Sequence, residues 1–157
     1  QGNRRVCVPV LTPAHIDELI VARQWLDPHL AERAVPNASR VALAELREID
    51  TRLDAAIARG DLRGYLECNY GFHRMLYDLS AAPILAGLAD GLWLRFGPSL
   101  RVVCGRLGTA NLPDRHKDVI AALERRDADA AADAVRADVV QGMEQVRKAL
   151  TAAQPTG

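Results

Sequence analysis

Four polar residues fall on the apolar faces of predicted helices, where an unpaired polar group is costly to bury. Asn69 and His73 are spaced i,i+4 and therefore share one helix face. His116 lies near the start of a second apolar face, and Asp138 shares a side of a third helix with small and aliphatic residues. Two imidazoles, a carboxylate and an amide oxygen suit a divalent metal such as zinc, nickel, manganese or iron. The same four residues could instead hydrogen-bond to one another in an ordinary core, and the pattern leaves both interpretations open.

Two arginines also interrupt apolar faces. Arg23 lies on the apolar line of the first predicted helix, with Asp27 one turn later. Arg95 lies on a line with Leu88, Leu92 and Ser99 in the fourth helix. One interpretation is a partly buried Arg23–Asp27 ion pair that organises the helices. The other is that an arginine, with Arg95 preferred over Arg23 and with Ser99 nearby, binds a ligand carboxylate beside the metal.

Catalytic motifs are missing from the sequence: it has no G-x-S-x-G, P-loop, G-x-G-x-x-G or H-E-x-x-H pattern. The apolar faces offer no titratable base beyond the candidate ligands. We therefore predict a binding site with no catalytic residues, and a protein that is not an enzyme. The rival hypotheses are a metal-dependent lyase or isomerase on a helical scaffold, and a metal-free structural dimerisation module.

The elements that position these residues are predicted to be helices, because apolar residues recur with a period of 3.6 and strand alternation is nearly absent. Proline, glycine and capping residues divide the chain into six stretches, with Pro28 expected to kink or interrupt the first. Short connections between such helices predict an all-α, antiparallel bundle of six to seven helices. The predicted helices run from Pro13 past Leu30, from Ser39 to Arg59, from Asp61 to Leu79, from Ile84 to Val103, from Pro113 to Arg126, and from the turn at 127–129 to Ala152.

Composition limits the partners and the compartment. The 157 residues carry 20 Lys+Arg and 20 Asp+Glu, and this balance argues against direct binding to nucleic acid or to an anionic membrane. No apolar run is long enough to span a bilayer, and no signal-peptide pattern opens the chain. Three cysteines without C-x-x-C spacing fit a reducing environment, so we expect a cytoplasmic protein.

Several blocks of the sequence resemble the FCD domain, the ligand-sensing C-terminal half of FadR-type GntR transcription regulators. Residues 69–77 (NYGFHRMLY) are similar to its D/N-x-x-F-H-x-x-L block, and residues 23–27 (RQWLD) to its R-x-x-L-E motif with Asp for Glu. Residues 115–120 (RHKDVI), 126–131 (RDADAA) and 135–139 (VRADV) resemble the family's later helix, turn and final ligand block. The resemblance extends from about residue 11 to residue 150.

The resemblance implies a metal-centred pocket in which the ligand positions fall on Asn69, His73, His116 and Asp138. The commonest family pattern has Asp at the first position and His at the last. This chain has Asn69 at the first position and Asp138 at the last, so it has one imidazole fewer and its carboxylate is at the other end of the pattern. Zinc, nickel and manganese all remain candidates. The implied effector is a small carboxylate or a sugar acid.

The resemblance also implies a domain plan and partners. Residues 12–153 would form the effector-binding and dimerisation domain, and residues 1–11 would be a linker and wing remnant or a cloning scar. The family's N-terminal winged helix-turn-helix is absent from this sequence. We therefore expect a homodimer that reaches operator DNA only through that missing domain, and no membrane partner.

Overall fold

The computed structural model describes residues 11–107 and 114–151, without the side chains of residues 98, 99, 101–107, 149 and 150. This part of the chain contains six α-helices and one short 3-10 helix, and the prediction of an all-α bundle is confirmed. No helix among the described residues is both long enough and apolar enough to cross a bilayer. The helices are α1 (Pro13–Ala34), α2 (Arg40–Arg59), α3 (Leu62–Leu79), α4 (Pro83–Leu107), α5 (His116–Glu124) and α6 (Ala128–Thr151), with the 3-10 helix at Val35–Asn37.

Capping residues determine where the first three helices begin, as the sequence predicts. The Thr12 side chain accepts a hydrogen bond from the backbone N–H of His15 at the start of α1. Ser39 and Asp61 cap α2 and α3 in the same way. Gly60 ends α2 with φ 67°, a left-handed conformation that favours glycine.

Two predicted helix boundaries and the predicted interruption at Pro28 are wrong. The first helix is not interrupted at Pro28, because it continues to Ala34 with the proline buried in the core. The fourth helix extends past Val103 to Leu107, and residues 108–113 lie outside the described residues. The fifth helix begins only at His116, because Asp114 lies before the helix and its carboxylate accepts the backbone N–H of His116.

The core lies around α1, which contacts α3, α4 and α6, while α5 is held between α2 and α6. Large fully buried side chains come from all six helices. They include Leu30 of α1, Phe72 of α3, Phe96 of α4 and Met143 of α6. This packing brings the inward faces of α3, α5 and α6 together at the centre of the bundle, where the predicted polar residues lie.

Candidate metal centre and ligand cavity

Three of the four predicted metal ligands meet at the centre of the bundle. His73 projects from α3, His116 from the start of α5, and Asp138 from α6. Each offers one ligand atom, and these atoms all lie within 4.8 Å of one another. His73 Nε2 and Asp138 Oδ2 lie 3.1 Å apart. All three side chains are almost completely buried.

The imidazoles of this cluster lack ordinary hydrogen-bond partners. Within the part of the chain that the structure describes, neither ring nitrogen of His116 has one, and neither does Nδ1 of His73. Leaving buried polar atoms unpaired costs about 1–3 kcal/mol each. Two imidazoles and one carboxylate are a donor set that zinc, nickel and manganese accept, so these residues fit a divalent metal.

Asp138 is held as a carboxylate in a fixed orientation. Its Oδ1 accepts the backbone N–H of Arg115 at 2.9 Å, while Oδ2 faces His73. Burial alone would raise the pKa of Asp138, but the hydrogen bond and charge of His73 outweigh burial and hold the pKa well below its usual range. The residue therefore offers a negatively charged oxygen to a cation.

His116 is held as a neutral ring. The ring of Phe72 stacks on it with centroids 3.8 Å apart and planes 10° from parallel. Burial lowers the pKa of His116 to about 4, although Asp138 opposes this shift. A neutral imidazole keeps the lone pair that a metal requires.

A small cavity adjoins the cluster and receives the remaining predicted ligand. Asn69, half-buried and one turn before His73 on α3, lines it together with His73, Asp138 and Arg23. The cavity has a volume of about 30 Å³, which suits a water molecule or an ion. An organic acid does not fit at this volume, so its binding would require the surrounding side chains or helices to move.

Arg23 belongs to a buried polar chain across three helices. Its Nε and Nη2 lie 2.9 Å and 2.5 Å from Asp27 Oδ2, as the ion-pair interpretation predicts. Asp27 Oδ2 also accepts the hydroxyl of Tyr77, which in turn accepts the indole N–H of Trp93. The Arg23 guanidinium lies 4.7 Å from the ring centroids of both Trp93 and Phe96. A cation is thus fixed at the wall of the cavity.

The prediction that Arg95 points inward is wrong. Arg95 is exposed and lines a separate surface groove with His15 and Glu18. The inward face of α4 instead carries Trp93 and Phe96. The side chain of Ser99 lies outside the described residues.

Two acids that the sequence did not single out lie beside His116. Asp50 Oδ1 lies 3.7 Å and Asp114 Oδ1 lies 3.9 Å from His116 Nδ1, and together the three residues form a second group with metal-ligand spacing. Lys117 Nζ lies 3.1 Å from Asp50 Oδ2, so a cation already accompanies this group. The missed signal is that Asp50 comes four residues after Leu46 on the apolar face of α2.

Comparison with known proteins identifies relatives of this fold. The chain is 30% identical over 123 residues to the HTH-type transcriptional regulator McbR of Escherichia coli (strain K12), which covers 76% of this chain and 56% of that protein. The chain therefore spans little more than half the length of this curated relative. The solved structure of E. coli McbR/YncC matches with a TM-score of 0.79 at 27% identity, covering 93% of this chain and 72% of the other.

A family model described as the FCD domain matches residues 18–141. This match confirms the resemblance, and the fold and the relatives are those of a transcription regulator and not of an enzyme, so the lyase or isomerase hypothesis has no support. Because the matched residues make up well over half of the sequence, the chain belongs to the FCD domain family of GntR-type transcription regulators.

Proposed function

We propose that this chain is the effector-sensing domain of a cytoplasmic FadR-type regulator, and that it binds a small organic acid through a divalent metal. His73, His116 and Asp138 would hold the metal, with the amide oxygen of Asn69 as a weaker fourth ligand. The effector, a small carboxylate or sugar acid, would complete the coordination. Its binding would be transmitted to an operator-binding domain outside this sequence.

The observation that carries the metal proposal is the buried group of His73, His116 and Asp138, whose ligand atoms lie within 4.8 Å of one another. Zinc–nitrogen and zinc–oxygen bonds of about 2.0–2.2 Å place two ligand atoms about 3–4 Å apart around one ion. Small side-chain movements would therefore bring all three atoms onto a common metal. Coordination would also satisfy ring nitrogens that have no partner in the described part of the chain.

The effector proposal rests on Arg23 and on the size of the cavity. Arg23 places a guanidinium at the cavity wall, where it is paired with Asp27 and would offer N–H donors to a ligand carboxylate. Since the cavity holds only about 30 Å³, an organic acid would bind an expanded arrangement of the helices. The difference in affinity between the two arrangements would supply the coupling to a distant domain, typically 1–3 kcal/mol.

Metal content tests this function most directly. The purified chain is loaded with zinc, nickel or manganese, dialysed extensively and analysed by elemental mass spectrometry. We expect close to one ion per wild-type chain and almost none in the His73→Ala/His116→Ala variant. His29→Ala is the matched control, because His29 is exposed, pairs with Glu32 and belongs to neither group with metal-ligand spacing. A wild-type chain that retains no metal after loading would refute the metal proposal.

A metal-free structural module is the second candidate, because the 3.1 Å contact between His73 and Asp138 already satisfies part of the cluster. Thermal shift distinguishes the two. A ligand at 100 times its Kd should stabilise the sensor by about 2.7 kcal/mol. The structural module predicts no shift with any metal or with any panel of hydroxy acids and sugar acids.

The proposed homodimer is supported by exposed apolar residues on two neighbouring helices. Val21 and Trp25 are spaced i,i+4 on α1, and Ile84 and Leu88 are spaced i,i+4 on α4. Trp25 is 80% exposed, which is unusual for so large an aromatic side chain. We expect Trp25→Glu to shift the chain from dimer to monomer in sedimentation velocity. Val41→Glu, at an equally exposed position on α2, should leave the dimer intact.

A further inference from the structure

His116 lies between two groups of side chains, and only one of them belongs to the proposed metal centre. One group is His73 and Asp138, and the other is Asp50 and Asp114, whose Oδ1 atoms lie 3.7 Å and 3.9 Å from His116 Nδ1. A neutral imidazole carries one proton, so its two nitrogens cannot both donate and cannot both bind a metal. Whichever group binds that proton decides which nitrogen keeps a lone pair.

Asp50 presents an acceptor that matches the Nδ1 proton. Its Oδ1 and His116 Nδ1 are both buried, and neither has a hydrogen-bond partner among the described residues. The 3.7 Å between them is too short for a bridging water, and it exceeds a good N–H···O distance by only about 0.7 Å. Two unpartnered atoms of complementary type therefore face each other.

The position of Asp50 is fixed by the element that carries it and by Lys117. Asp50 lies in the middle of α2 and is 5% exposed. Its Oδ2 lies 3.1 Å from Lys117 Nζ, and the same ammonium contacts Asp54 Oδ2 at 2.9 Å. Lys117 follows His116 directly on α5, so this contact ties α2 to the residue that would bind the metal. Oδ2 is occupied by the lysine, and Oδ1 remains for the histidine.

Asp114 is the weaker candidate for the same role. Its Oδ1 is 3.9 Å from His116 Nδ1 and already accepts the backbone N–H of His116 at 3.1 Å. Asp114 also lines the cavity, whereas Asp50 is buried and does not line it.

We propose that Asp50 is a positioning residue for the metal centre, accepting a hydrogen bond from Nδ1–H of His116. This bond fixes the tautomer whose lone pair is on Nε2 and leaves that nitrogen for a metal shared with His73 and Asp138. The consequence for metal binding rests on the proposed function, whereas the tautomer itself does not. Carboxylates that orient metal-binding histidines in this way typically contribute 10- to 100-fold to metal affinity.

The tautomer is measured first, in the metal-free chain, because a bound metal would impose one. Long-range ¹H–¹⁵N correlation of a chain with ¹⁵N-labelled histidine should show His116 protonated on Nδ1. Asp50→Leu removes the acceptor and should abolish this signature, while Asp50→Asn keeps an acceptor oxygen and should retain most of it. Asp54→Asn is the matched control, because Asp54 shares the contact with Lys117 and is exposed.

Metal affinity is measured second, by competition with a chelating dye for zinc. Asp50→Leu should weaken binding 10- to 100-fold, and Asp54→Asn should change it less than twofold. A wild-type chain protonated on Nε2, or an Asp50→Leu variant with an unchanged tautomer, would overturn the role of Asp50 whether or not metal binds. A wild-type chain with the Nδ1–H tautomer but no zinc binding would instead refute the metal centre and leave the hydrogen bond standing.

Discussion

Acid should destabilise the metal-free chain through the imidazole of His116. Burial lowers the pKa of this group to about 4 in the folded chain, whereas the ordinary value is 6.5. The unfolded chain therefore binds the proton more tightly than the folded chain does. The contribution of the neutral His116 ring to the free energy of unfolding is fully present above about pH 6.5 and is lost as the pH falls towards 4.

The magnitude follows from the two pKa values. At pH 5 the imidazole is almost fully protonated in the unfolded chain and only about one-tenth protonated in the folded chain. Linkage then lowers the free energy of unfolding by about 2 kcal/mol between pH 7 and pH 5. If the free energy of unfolding falls by about 2 kcal/mol per M urea, the titration of His116 alone lowers the urea midpoint by about 1 M.

Urea unfolding at pH 7 and pH 5, with a chelator present, measures this effect. His116→Gln, whose side chain does not titrate, should lose about 2 kcal/mol less than the wild type over the same interval. His29→Gln changes an exposed histidine and should behave as the wild type. Equal losses in the wild type and in His116→Gln would show that burial of this ring does not lower its pKa.

Two further predictions concern stability, and chemical denaturation checks both. Arg23→Met leaves the buried Asp27 carboxylate without its cation and should lower the free energy of unfolding by about 3–5 kcal/mol. Adding Asp27→Asn removes the charge but keeps an acceptor for Tyr77, so the double variant should recover more than half of the lost stability. No recovery in the double variant would contradict this account of the ion pair. Gly60→Ala forces alanine into a left-handed conformation with φ 67° and should cost about 1 kcal/mol. Gly71→Ala, in mid-helix with open space around the new methyl group, should instead stabilise by about 0.5–1 kcal/mol, and the same sign for both glycines would refute the reasoning.

Local signals predicted most of the fold. Thr12, Ser39 and Asp61 supply side-chain oxygens that cap helices, and such caps depend only on residues three positions away. The predicted interruption at Pro28 does not occur because packing outweighs the local cost of a proline inside a helix. The proline is buried within α1, and this burial depends on the packing of other helices, which the neighbouring residues in the sequence do not reveal.

The error at Arg95 has a different physical origin. Helix α4 is apolar on two faces, so periodicity alone does not decide which one is buried. The line of Leu88, Leu92 and Arg95 faces outward to varying degrees, and Trp93 and Phe96 fill the core. Large apolar side chains on an outer face are typical of an interface, which is where the proposed dimer would use them.

The candidate site shows the same limit. His73, His116 and Asp138 were recognisable because each is a polar residue on an apolar helix face. Asp50 carried the same signal on α2, but its relation to His116 depends on how α2 and α5 pack together. Helical periodicity gives the direction of a side chain and not the identity of its neighbour on another helix.

The small volume of the central cavity bears on the concentration at which an effector would be sensed. An acid that binds only an expanded form has an apparent Kd equal to its intrinsic Kd divided by the fraction of chains in that form. An expanded fraction of about 1% would raise the apparent Kd about 100-fold. Substitutions in the aromatic wall of Trp93 and Phe96 would then reset the response threshold while the atoms that recognise the acid stay unchanged. Sensitivity and chemical selectivity would be adjustable independently in this domain.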